Sequence, residues 1–151
     1  MPFFTQKDRH SCGTVAAANA MLYLGYPPSD KRITVIAKST RNYYGRGVKS
    51  NEYGHSLKKW LPFNCTIKRK TIRSREELLE RVSEGDCGNV ATILLYRGSK
   101  TKHCALAFSR GGRSIYLANG RKDKAIYRIG KSKQEEILKR GRVNCFTIRL
   151  R

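Results

Sequence analysis

Carboxylates are scarce in this sequence: 11 Asp and Glu stand against 32 Lys and Arg, a formal net charge of +21. So lopsided a balance attracts polyanions through long-range fields and counterion release, which makes nucleic acid a candidate partner. The plainer reading is a surface charged for solubility, because the basic residues are spread along the whole chain rather than gathered in a tail. Long apolar runs are missing too. None approaches the roughly 20 residues a membrane-spanning helix needs, so no membrane association is expected. The first eight residues, MPFFTQKD, are too short and polar for a secretory leader. The five cysteines (Cys12, Cys65, Cys87, Cys104 and Cys145) are odd in number and lack framework spacing. That argues against a secreted disulfide scaffold and for a reducing setting, cytoplasmic or inside a virus particle. Paired C-x₂₋₄-C ligands are also missing, so the sequence calls for no metal and no other cofactor. Repeats and low-complexity segments are absent, and 151 residues fit one domain spanning 1–151.

What is present divides the chain in two. Residues 11–25, SCGTVAAANAMLYLG, read as a helix, with Ser11 as its cap and Gly25 as its stop. Ser29 or Asp30 can cap a second helix through about Ala37. Residues 40–54 are rich in Gly, Tyr and polar residues and read as a loop, and HSLKKWL, 55–61, reads as a short helix. Thereafter strands dominate, at 64–70, 89–96, 103–109, 113–118, 125–129 and 142–149. They are interrupted by a helix at 75–83, begun by a Ser74/Glu77 capping box, and by one that Ser132 caps and that runs to Lys139. Gly111-Gly112 reads as a turn. The pattern is α+β, a helical N-terminal half packed on an antiparallel β-sheet C-terminal half, the two facing each other across a cleft.

Three segments carry chemistry. In QKDRHSCG, residues 6–13, Cys12 stands at a helix start, where the dipole and free backbone N–H groups favour the thiolate. Gln6, six residues earlier, offers an amide that can donate to an oxyanion formed beside the Cys12 N–H. Taken alone, Cys12 reads as well as a small buried hydrophobe. In TKHCALAFS, residues 101–109, His103 opens an apolar strand, a place from which an imidazole can reach a thiol on another element. A purely structural histidine fits the same position. His10 lies just before the helix and His55 has no apolar strand to hold it. Cys104, next to His103, should turn to the opposite face and join the core. In SIYLANG, residues 114–120, Asn119 ends the next strand, sixteen residues after His103, and its amide oxygen can fix the imidazole tautomer. Asn-Gly is also a strong turn dipeptide.

The pattern Q-x-D-x-x-x-C-G before an Ala-rich helix that ends in Gly resembles the bacteriocin-processing cysteine peptidases, which remove double-glycine leader peptides. HSLKKWL, SREELLERVSEG, NVATILLY, HCALAF and IYLAN follow in the order that family shows. The resemblance covers nearly the whole chain and implies a papain-like fold. It implies Cys12 as nucleophile, His103 as base, Asn119 as orienting residue and Gln6 as oxyanion donor. The family's usual third residue is Asp; Asn is the papain-type alternative.

The sequence therefore predicts a thiol peptidase that cleaves peptide or isopeptide bonds in a peptide or protein substrate, with acyl transfer open to the same residues. The competing reading is a catalytically inactive, strongly basic nucleic-acid-binding module on the same fold. A protease recruited to nucleic acid, as suits a compact virus or phage genome, joins the two. Lys68, Arg69, Lys70 and Arg73 are the candidate phosphate contacts; Lys on an edge strand that must not pair with neighbours explains them equally. Tyr43 and Tyr44, flanked by Arg41 and Arg46, could stack on bases or line a groove.

Overall fold

Burial along the strands decides the architecture, because the three central strands are buried on both sides while the edges are not. In a computed structural model of the chain, residues 3–4, 12–33, 50–98, 102–109, 114–121 and 124–151 are described; for 50, 51, 87, 119–121, 124 and 125 only the backbone is. Six strands form one sheet: β1 (Cys65–Ile72), β2 (Val90–Arg97), β3 (Lys102–Ser109), β4 (Ile115–Arg121), β5 (Lys124–Ile129) and β6 (Val143–Leu150). Their order is β1-β6-β2-β3-β4-β5, with every neighbouring pair antiparallel. The last strand thus enters between the first two, a non-local pairing that no local signal announces.

One face carries Ile93, Leu95, Cys104, Leu106, Phe146 and Ile148, covered by α1 (Cys12–Tyr23) and α2 (Ser50–Trp60). The other carries Leu94, Tyr96, Ala105, Leu117 and Cys145, covered by α3 (Arg75–Ser83) and α4 (Lys131–Arg140). The expected helical first half does pack on the sheet, but the sheet lies between two helical layers, since its second face is also apolar and must be covered. No helix of the described residues is long and apolar enough to cross a membrane.

Local chemistry explains the element ends. Gly25 has φ +88°, Tyr26 N–H donates to Met21 O at 2.8 Å and Gly25 N–H to Leu22 O at 3.1 Å. This Schellman closure confirms Gly25 as the stop of α1. Ser29 caps a helical turn at 30–33 through its Oγ, which accepts from Arg32 N–H at 3.2 Å. The remainder of that expected helix lies outside the described residues, as do Ser11, His10, Gly111-Gly112 and the Tyr43/Tyr44 loop. Ser74 accepts from Glu77 N–H at 3.2 Å, as the capping box requires. The return bond differs: Glu77 Oε2 accepts from Arg73 N–H rather than from Ser74.

Three expectations need correction. α2 starts at Ser50, not His55, because Tyr53, Leu57 and Trp60 form a buried stripe at helical spacing. Gly54 sits inside it against Phe146, whose ring a Cβ there would meet at 3.4 Å. Ser132 does not cap α4: the cap position is Gly130, without a side-chain bond, and Gln134 instead donates to Ile129 O at 2.9 Å. Finally, β4 runs through Asn119-Gly120 to Arg121, with its pairing to β5 shifted between Ala118 and Arg121. The β5 strand holds those residues extended where the dipeptide alone favours a turn.

Candidate active site

α1 is built to lie close to the sheet. Ala16, Ala17, Ala18 and Ala20 are at most 1 % exposed, so no long side chain separates the helix backbone from its neighbours. Its first residue, Cys12, clusters with Cys104 near the start of β3, and its last, Tyr23, meets Phe108 near the end at a ring separation of 5.9 Å. The helix therefore runs alongside β3 in the same direction. Its positive dipole end lies over the strand end that His103 opens.

The first turn of α1 is pinned from α2. Tyr53, fully buried, donates its hydroxyl hydrogen to Gly13 O at 2.8 Å, and the same hydroxyl is a hydrogen-bonding partner of Cys104. Tyr53 was missed in the sequence because Gly54 disguised the helix; its spacing to Leu57 and Trp60 was the available signal. Upstream, Asn19 is fully buried and grips the N-terminal arm. Its Oδ1 accepts from Phe4 N–H at 2.7 Å and its Nδ2 donates to Phe4 O at 3.1 Å. Gln6 belongs to the stretch that joins this anchored arm to α1 and lies outside the described residues.

Cys12 is 4 % exposed. His103 is half-buried and pairs across the strands with Tyr96, whose ring it meets edge-on at 5.6 Å. Tyr96 also lies within electrostatic reach of Cys12 and Cys104. Burial holds its phenol neutral far above the ordinary value, and those thiols add to the effect. Cys104, fully buried as expected, has its thiol pushed well up by desolvation and then by Cys12. Tyr96 is thus a neighbour common to Cys12 and His103, and the sequence offered no sign of it beyond its place in an apolar strand. His55 is exposed on α2. The backbone of Asn119 follows Ala118, the partner of Leu106, one step toward the end of β3 that holds His103.

Beside Tyr96 opens a cavity of about 290 Å³ lined also by Arg97, Lys102, Arg142 and Asn144. Among the described residues its three cations have no carboxylate partner. No group of three or more His, Cys, Asp and Glu suited to a metal occurs among the described residues. The basic run lies elsewhere: Lys68, Arg69 and Lys70 are exposed on β1, an edge strand, and Arg73 is exposed just past it.

The fold has counterparts of known structure. The chain is similar to the peptidase domain of Streptococcus ComA, a bi-functional ABC transporter involved in quorum sensing, with a TM-score of 0.65 and 12 % identity over 99 % of this chain and 98 % of that one. The fold is that of the papain-like C39 peptidases. A protein from Bacillus anthracis assigned as a C39-like peptidase matches with a TM-score of 0.64 and 16 % identity, over 96 % and 93 % of the two chains. No family model and no curated protein matches the sequence. The papain-like fold expected from Q-x-D-x-x-x-C-G and the order of elements is thereby borne out.

Proposed function

We propose that the chain is a cysteine peptidase. Cys12 is the nucleophile, His103 the general base and acid, and Asn119 the residue that orients the imidazole. Gln6 and the Cys12 backbone N–H form the oxyanion site. The observation that carries this reading is the meeting of the N-terminal end of α1 with the start of β3, around Tyr96. The papain-like fold supports it.

In the proposed cycle the Cys12 thiolate attacks a peptide carbonyl carbon. The carbonyl electron pair moves to oxygen, where the N–H donors stabilise it. Collapse breaks the C–N bond, and His103 gives its proton to the leaving amine. Water then attacks the thioester and yields its proton to His103. The carboxylic product leaves, and Cys12 returns as thiolate. The cavity bearing Arg97, Lys102 and Arg142 favours an acidic side chain near the cleaved bond.

Quenched fluorescent peptides, acidic and neutral and including Gly-Gly sites, test the proposal. The chain should cleave acidic peptides preferentially. Cys12→Ala and His103→Ala should each lower turnover by at least about a thousandfold. Turnover by Cys12→Ala equal to that of the unaltered chain would remove the proposal.

A further inference from the structure

A second basic concavity lies away from Cys12, on the face of the sheet that α3 covers. It is a groove of about 390 Å³ where β1, β6 and the end of α3 converge. Lys68, Arg69 and Lys70 come from β1, Arg81 from α3 and Arg149 from β6; Glu84 is the sole carboxylate among its lining residues. Glu84 is shared between two arginines, at 3.2 Å from Arg81 and 3.5 Å from Arg149. It therefore draws both guanidinium groups toward the groove. Among the described residues, Lys68, Arg69 and Lys70 have no ion-pair partner. Thr66 and Thr147 add hydroxyls to the same lining.

Guarding an edge strand needs only charges on that strand. It gives no reason for Arg81 and Arg149, distant in sequence, to converge on the lysines. Five cations against one carboxylate leave a concentrated positive field in a concave surface, where field lines focus. The lining holds no aromatic or large apolar side chain, the kind of anchor that dominates binding at protein interfaces. Nor does it offer a platform for stacking bases. Lysine, arginine and threonine are what phosphate oxygens take.

We propose that this groove binds the phosphate backbone of nucleic acid without sequence preference. Arg73, grouped with the run in the sequence, lies outside the groove lining. The site needs neither Cys12 nor His103, so the peptidase proposal and this one stand or fall separately.

Anisotropy of a labelled random-sequence 20-base-pair DNA duplex, titrated with the full chain between 50 and 200 mM KCl, tests it. Affinity should fall steeply with salt, with a log–log slope of about −0.9 per phosphate contact. The double variant Lys68→Ala, Lys70→Ala should reduce that slope by about 2 and weaken binding at least roughly tenfold at 100 mM. Both lysines are exposed, so the fold does not depend on them. The double variant Lys131→Ala, Lys139→Ala removes the same charge from α4 and should weaken binding less than about threefold. Equal losses in the two variants would mean that net charge alone binds, and would overturn the proposal. So would no binding at 50 mM. Displacement of the duplex by polyglutamate at equal charge concentration would also overturn it, in favour of an acidic protein partner.

Discussion

The two faces of the sheet are covered in different ways. α3 and α4 are ordinary amphipathic helices: Leu78, Val82 and Ile137 point inward, and charges such as the Glu136 pair with Lys133 face outward. α1 is buried on nearly every side, ten of its 12 residues being buried. It uses alanines, with a tyrosine from α2 fixing its first turn. The first arrangement maximises apolar burial per helix. The second gives up side-chain volume for close approach of a helix end to a strand end, where Cys12 lies. The difference teaches that one face is shaped for apolar burial and the other for close approach of a helix carrying Cys12, while His103, paired with Tyr96, stands on the α3/α4 side of its strand; each of the following substitutions challenges that contrast.

The largest expected effect is on the α3/α4 face. Ile137→Ala should cost about 2–5 kcal/mol by cavity formation, seen as a lower denaturant midpoint. The alkylation rate of Cys12 well below the melting temperature should stay unchanged. A parallel loss of Cys12 reactivity would show that the faces are not separable.

Alkaline pH probes the same face. Burial raises the Cys145 thiol from 9.0 to about 11. The folded protein then keeps a proton that the unfolded chain gives up. The contribution of that buried thiol is fully present below pH 9 and is lost as pH climbs through about 11. Full loss amounts to about 2–3 kcal/mol. Cys145→Val should flatten this part of the stability profile between those limits. An unchanged alkaline slope would contradict the assignment.

On the α1 face, Tyr53→Phe removes one buried hydrogen bond and should cost only about 1–2 kcal/mol. Yet it should slow alkylation of Cys12 severalfold, because Gly13 loses its anchor. A variant that loses stability and keeps full Cys12 reactivity would reduce Tyr53 to a packing residue.

Legibility in the sequence follows the same division. α3 could be read residue for residue, because Ser74, Glu77 and the apolar spacing are local signals. Cys104 as a core residue followed from alternation alone. The start of α2 was hidden by Gly54, whose closeness to Phe146 depends on a strand 92 residues away. The extended Asn119-Gly120 likewise depends on β5 pairing. Within the candidate site, Cys12 and His103 stood out by residue type and position, whereas Tyr53 and Tyr96 matter only through tertiary neighbours. In the groove, Lys68 to Lys70 were visible as a run. Arg81 and Arg149 were not, since the packing of α3 on the sheet places the first and the insertion of β6 beside β1 the second.

The central claim is that the α1 terminus makes Cys12 a thiolate, and a comparison with Cys65 tests it most directly. Cys65 is half-buried, more exposed than Cys12, yet burial raises its pKa. Exposure and activation therefore predict opposite orders. Site-resolved iodoacetamide labelling of the native chain from pH 5 to 9 should find Cys12 reacting at least about tenfold faster than Cys65 at neutral pH. His103→Ala should abolish that advantage. Cys65 reacting first across the whole range, with no effect of His103→Ala, would contradict the account.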